Sequence, residues 1–336
     1  MRTRAIYGCA GTTLSNAEIG FFKDAQPWGF ILFGRNIVEA GQVRALVDAL
    51  RETVNDIRAP VLIDQEGGRV ARLKPPHWKE RAPVARIGAL HESNAEAAHE
   101  AAYLHARLIA HDLAALGINV DCAPVLDVPV EGASDVIGDR ALSSDPAVVV
   151  DLGRAMIEGF IDGGVLPVMK HAPGHGRATA DSHLELPRVN TPRESLSMTD
   201  FIPFRGLAHC PMAMTAHVVF EAIDPRRPAT TSPRVIKDVI RGEIGYEGLL
   251  LSDDLSMKAL DGSLAKRARA ALLAGCDIVL HCNGCLDEMR EVAGEAKPLD
   301  KIHLRRAEAA ISHIVTPEAF DVARGEAHLA ELLRAG

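Results

Sequence analysis

Eight short apolar runs divide the 336-residue chain, at residues 5–8, 29–33, 60–64, 118–123, 165–170, 211–217, 248–253 and 277–282. Each is followed by a polar stretch and then by helical periodicity, the pattern of parallel strands joined by crossover helices. Before the fourth run, for example, Leu104, Leu108, Ile109, Leu113 and Leu116 share one helical face and Gly117 supplies the stop. Eight such units predict an α/β fold, the (β/α)8 TIM barrel. The long irregular stretches, 66–86, 128–145, 171–193 and 218–233, all come directly after strands, whereas the returns from helix to strand are short. In a barrel that asymmetry crowds the C-terminal face, where active sites of this fold are built. A doubly wound sheet would alternate similarly, but no GxGxxG follows an early run and no Walker loop is present, so the barrel is preferred. One catalytic domain is expected over 1–336, with closing helices after about residue 287.

Composition narrows the partners. Lys and Arg number 37 against 45 Asp and Glu, a formal charge of −8, which argues against a nucleic-acid binder. Aromatic residues are only 4%, so a polar ligand must be held mainly by hydrogen bonds and not on stacked rings. The six cysteines are scattered and several sit inside apolar runs, which indicates reduced, packed thiols and no disulfide framework. No apolar run approaches the roughly 20 residues that span a bilayer, and the stretch after Arg2 and Arg4 is too short for a signal peptide. The expectation is a cytoplasmic protein that engages neither membrane nor nucleic acid.

Three segments carry chemistry. In Lys170-His171-Ala172-Pro173-Gly174-His175-Gly176, followed by Asp181-Ser182-His183, three histidines, a lysine and an aspartate lie within fourteen positions. Pro173 and the glycines forbid a regular helix, so His171 and His175 cannot form a metalloprotease-type pair, and the segment reads as a mobile, glycine-hinged loop. The i, i+2 spacing of Asp181 and His183 lets the carboxylate accept the imidazole N–H and raise its basicity, as a general acid/base requires. In Leu249-Leu250-Leu251-Ser252-Asp253-Asp254, an apolar strand ends in two acids at the edge where substrate should bind. Strand alternation turns them opposite ways, and parity alone does not choose; Asp254 is expected to cap the next helix. Asp64-Gln65-Glu66-Gly67-Gly68-Arg69-Val70-Ala71-Arg72 offers an acid and arginines for vicinal hydroxyls, although an Asp64–arginine bridge explains it equally well. Arg140, in Ile137-Gly138-Asp139-Arg140, would as a lone arginine be solvated.

In order and spacing these motifs, with Ser252-Asp253-Asp254-Leu255-Ser256-Met257, resemble the family 3 glycoside hydrolases, and within them the single-domain bacterial β-N-acetylglucosaminidases of peptidoglycan recycling. The resemblance covers roughly residues 5–285. It implies that Asp253 is the nucleophile of a retaining mechanism and that His183, oriented by Asp181, is the acid/base. It further implies that Asp64, Arg72, Arg140, Lys170 and His171 grip a terminal N-acetylglucosamine, that His217 stands near the site, and that His175 is structural. The implied substrate is a muropeptide of the GlcNAc-1,6-anhydroMurNAc type, with no cofactor and no metal. Ala172 stands where the family commonly has an aromatic, and Ala141-Leu142 replaces a Ser-aromatic pair. Competing readings are a metal-dependent hydrolase built on His171, His175 and His183, and a sugar-binding barrel without chemistry.

Overall fold

The computed structural model describes residues 1–180, 182, 185–317 and 319–335. Eight parallel strands close into a barrel: β1 (Thr3–Gly8), β2 (Pro27–Leu32), β3 (Val61–Ile63), β4 (Val120–Asp121), β5 (Leu166–Ala172), β6 (Met212–Thr215), β7 (Leu249–Asp254) and β8 (Ile278–His281). Each strand pairs with its sequence neighbours, and β8 closes on β1 through Ala5–Val279, Ile6–Leu280 and Tyr7–His281. All eight predicted runs are strands. The fourth strand is shorter than its apolar stretch, and the third helical pattern runs through two helices, Ala85–Ser93 and Ala95–Ala114.

The strands read as unbroken apolar runs because both faces are covered. Alternation along each strand divides the side chains between two cores. Ile6, Ile31, Leu62, Val120, Leu166, Val168, Met212, Met214, Leu249, Leu251, Ile278 and Leu280 fill the barrel interior. Their neighbours Ala5, Tyr7, Phe30, Leu32, Val61, Ile63, Leu250 and Val279 pack outward against the helices. Buried apolar side chains of this size each contribute about 1.5–3 kcal/mol, so the two cores dominate the stability of the fold.

Parity also sets the top of the barrel. Two positions beyond an inward residue, the next side chain faces the axis again. Phe33 follows Ile31, Asp64 follows Leu62, Lys170 follows Val168, Asp253 follows Leu251 and Cys282 follows Leu280; all five line one cavity at the C-terminal mouth. The apolar layers thus give way to a layer with charges in it.

At the other end of the chain come helices Leu286–Glu295, Lys301–Ile311 and Val322–Ala335. The second is anchored by His303 and Arg306, whose Nδ1 and Nη1 lie 2.7 and 3.1 Å from Oδ1 of the buried Asp277. Among the described residues no helix is long and apolar enough to cross a membrane.

Candidate active site

The cavity over the barrel has a volume of about 340 Å³, in the range that holds one small ligand. Its charged floor alternates in sign. Lys170 Nζ lies 3.0 Å from Asp64 Oδ1 and 2.7 Å from Glu66 Oε1. Arg72 Nη2 donates to Asp64 Oδ2 at 3.0 Å, and Arg140 grips Glu66 with both Nε and Nη2 at 2.8 Å. Arg140 is therefore a half-buried, bidentate partner and not a solvated cation, because its loop after β4 folds back over Glu66. That loop is itself held by Arg69, which donates to the Val136 and Ile137 carbonyls at 3.1 and 2.9 Å and pairs with Asp139 at 3.0 Å. Gly67 permits the turn beneath: its φ is +95°, and a Cβ would stand 2.6 Å from the Ala82 carbonyl oxygen.

Burial alone would drive these groups toward neutrality, but their mutual pairing wins. Burial raises Asp64 and Glu66, yet Lys170 with Arg72, and Lys170 with Arg140, hold both carboxyls below their ordinary range. Burial lowers the Lys170 ammonium, and Asp64 and Glu66 push it above the lysine range. Three cations face two carboxylates in this network, an excess that Asp253, on the opposite wall of the cavity, helps to balance.

Asp253 continues the inward parity of Leu249 and Leu251. Its Oδ1 accepts the N–H of Asp254 at 2.8 Å. Burial works against its charge, but His217, His171, that N–H and Lys170 outweigh it and keep the carboxyl below the usual aspartate range. Asp254 caps the chain after β7, although the element it caps is a turn and not a helix: it accepts Ser256 N–H at 3.0 Å and ties down Cys282 N–H at 3.1 Å. His217 is fixed on both sides of its ring, by Thr230 Oγ1 at 2.7 Å and the Asp254 carbonyl at 2.9 Å.

The segment after β5 differs from expectation in its first half. Residues 170–176 are buried, and a Cβ on Gly176 would collide with the Val128 carbonyl, so this stretch is packed into the barrel rim. Its anchor is Asp127, which sequence reasoning missed. Asp127 Oδ2 lies 2.7 Å from His171 Nδ1, while Oδ1 accepts the backbone N–H groups of His171 and His175 at 3.2 and 2.7 Å. The signal was available: an acid interrupts the apolar stretch just past the fourth strand. His175 Nε2 lies 3.2 Å from Ser182 Oγ, and burial together with His171 depresses its pKa to about 4, as befits a neutral packing residue. Asp181 and His183 lie outside the described residues.

Asp127→Asn is expected to disturb this anchor, because an amide nitrogen replaces one of two acceptors that receive three N–H groups. We expect a stability loss of about 1–3 kcal/mol through the displaced His171, which thermal or urea melts check.

A barrel with a carboxylate and a grid of hydrogen-bonding charges at its mouth has the parts for acting on a hydroxyl-rich ligand, and the comparisons define which class. Residues 13–316 match the glycosyl hydrolase family 3 N terminal domain, and the protein is a glycoside hydrolase. It is similar to a beta-hexosaminidase of Alkalilimnicola ehrlichii, 45% identical over 283 residues that cover 82% of this chain and 79% of that one. It is also similar to the beta-hexosaminidase of Tolumonas auensis, 43% identical over 81% of this chain and 80% of the relative. Native NagZ from Neisseria gonorrhoeae superposes with a TM-score of 0.87 at 31% identity, covering 99% of this chain and 98% of that one. The same Neisseria protein has been solved in complex with N-trifluoroacetyl-D-glucosamine, at 30% identity, 99% and 98% coverage and a TM-score of 0.87. The chain belongs to glycosyl hydrolase family 3.

Proposed function

We propose that the protein is a retaining exo-β-N-acetylglucosaminidase that removes terminal N-acetylglucosamine from muropeptide fragments of the GlcNAc-1,6-anhydroMurNAc type. It works as one catalytic domain in the cytoplasm, without cofactor or metal. The observation that carries the reading is the ionised Asp253 carboxylate directed into a one-sugar cavity floored by Asp64, Glu66, Arg72, Arg140 and Lys170. The names of the relatives and the amino-sugar analogue bound to the Neisseria protein support the choice of sugar.

Asp253 Oδ1 is occupied by the Asp254 N–H, which leaves Oδ2 to attack the anomeric carbon. As that C–O bond forms, the glycosidic bond breaks and the leaving oxygen takes a proton from His183, whose ring Asp181 orients. Water then gives its proton back to His183 and displaces the Asp253 ester, releasing the sugar with its configuration retained. An imidazole suits the acid role here, because a further carboxylate would add to those already in the cavity and repel an anionic leaving group. Asp64, Arg72, Arg140, Lys170 and His171 bind the hydroxyls, each already oriented by an ion pair or by Asp127, so little ordering remains to be done on binding.

The test is covalent labelling. Incubated with a 5-fluoro N-acetylglucosaminyl fluoride, the protein is expected to gain the mass of one glycosyl residue on the peptide that carries Asp253. A label on another carboxylate, or turnover with no covalent species, overturns the assignment.

A further inference from the structure

Among the described residues, none of the long stretch 218–233 after β6 lines the cavity, yet it is bonded to the strand end that carries the nucleophile. The stretch folds back as a single 3₁₀ turn, Ala229–Thr231, in which the Ala229 and Thr230 N–H groups donate to the Val218 and Ala216 carbonyls at 2.8 and 3.3 Å. This sets the buried Thr230 hydroxyl against the end of β6. Its Oγ1 lies 2.9 Å from Thr215 Oγ1, 3.1 Å from the Ala216 carbonyl oxygen and 2.7 Å from His217 Nδ1. The other ring nitrogen, Nε2, meets the Asp254 carbonyl oxygen at 2.9 Å. A carbonyl only accepts, so Nε2 is the donor whatever the charge on the ring. Nδ1 has no such fixed role, and a hydroxyl suits it in either state: it donates to a bare nitrogen and accepts from a protonated one. Thr215 and the Ala216 carbonyl stand ready to supply or take the hydrogen on its far side.

Residue 254 is thereby held at three points. His217 holds its carbonyl, the Ser256 and Cys282 N–H groups hold its carboxylate at 3.0 and 3.1 Å, and its own N–H donates to Asp253 Oδ1 at 2.8 Å. That last bond occupies one oxygen of the nucleophile and leaves the other to attack, so the direction of attack follows the placement of the Asp254 backbone. Charge follows the same path. Burial drives the Asp253 carboxyl upward, and His217 leads the groups that hold it down, ahead of His171, the Asp254 N–H and Lys170. The other titratable groups that face it are Cys122 past β4, His175 after β5 and Cys282 after β8.

Resting on the function proposed above, we infer that Thr230 and His217 are positioning residues for the nucleophile: the hydroxyl holds the imidazole, the imidazole holds the Asp254 backbone, and that backbone aims Asp253. Thr230→Val puts a methyl group in place of the hydroxyl and takes from His217 the partner of its Nδ1. With a p-nitrophenyl N-acetylglucosaminide as substrate, kcat is expected to fall roughly 10- to 100-fold, the cost of a small misplacement. KM is expected to stay within about two-fold on the same principle, because the groups that bind the sugar are not touched. The acid limb of kcat/KM is expected to move upward by roughly one pH unit, as the carboxylate loses part of a hydrogen bond to its charged form. Thr230→Ser keeps the hydroxyl and is expected to restore both the rate and the limb. His217→Gln is expected to share the signatures of Thr230→Val, and adding Thr230→Val to it to cost no more than about two-fold further, since the path is already cut. An acid limb unmoved in whichever of the two single variants folds overturns the inference. So does a serine variant as slow as the valine one, or losses that multiply in the double variant, because packing alone accounts for either. All three results leave the functional reading intact. Wild type inert on the aryl glycoside overturns the functional reading, and the inference with it.

Discussion

Asp253→Asn is expected to lose at least roughly 10⁴-fold in kcat while melting within a few degrees of wild type, a split that separates chemistry from folding. The amide has the same shape, so Leu249 and Leu251 beneath it still fill the barrel, and its carbonyl oxygen still accepts the Asp254 N–H now received at 2.8 Å. The substitution removes the nucleophile and one negative charge. That charge sits below its ordinary pKa in the fold, so it contributes some stability at neutral pH that the amide gives up, which explains a small fall in melting temperature instead of a gain. The same shift fixes the acid side of the wild-type rate profile. The carboxylate persists down through the ordinary aspartate range near 4, so the acid limb due to this group lies below that pH. A second variant sharpens the result: Asp253→Ala opens space at the same point, and added azide should restore turnover with a glycosyl azide of inverted configuration as product. Full activity in Asp253→Asn, or azide rescue with retention, would remove Asp253 from the nucleophilic role.

The barrel was legible because parallel strands are covered on both faces and therefore appear as dense apolar runs, and because every long loop followed a strand. The same double burial made the parity of Asp253 and Asp254 illegible. In a half-exposed strand polar residues would have marked one face, but Leu249, Leu250 and Leu251 are apolar on both, and only their division between the interior and the helix-facing core tells them apart. The partners of the charged residues were hidden for another reason. Glu66 meets Arg140 across 74 positions and Asp127 meets His171 across 44, pairings created by barrel closure and invisible to local spacing. Arg140 as a solvated cation and residues 171–176 as a mobile hinge were natural readings of local composition. Both fail because Glu66 and Asp127, two acids given no role of their own, reach over from neighbouring strands. Asp64 illustrates the converse: the arginine bridge and the ligand-gripping role, posed as alternatives, coexist in one carboxylate that is oriented by Arg72 at 3.0 Å and lines the cavity.

Lys170→Met is expected to be the most destabilising single change in the site, by about 3–5 kcal/mol at neutral pH, with activity lost as well. The methionine fits the space, but it leaves Asp64 and Glu66, which Lys170 now bridges at 3.0 and 2.7 Å, with only Arg72 and Arg140 as partners in a buried layer. For a chain of this length that corresponds to a melting temperature lower by on the order of 5–10 °C. The pH dependence gives the mechanism a signature that simple loss of packing lacks. In wild type both carboxyls titrate below their unfolded values, so they contribute stability that is present above the unfolded pKa and is lost as pH falls through the folded one. Without the ammonium their folded pKa values rise, and protonation relieves the variant of the repulsion that destabilises it. Wild type keeps both carboxylates ionised, and Lys170 paired, until the pH falls below their ordinary range. The stability gap between the two proteins should therefore be widest near neutrality and should narrow as the pH drops below about 5 and the variant's carboxyls take up protons, as measured by urea unfolding at a series of pH values. A gap independent of pH would mean that Lys170 acts by filling space, and the alternating charge floor would lose its claim to hold the cavity in shape for a sugar.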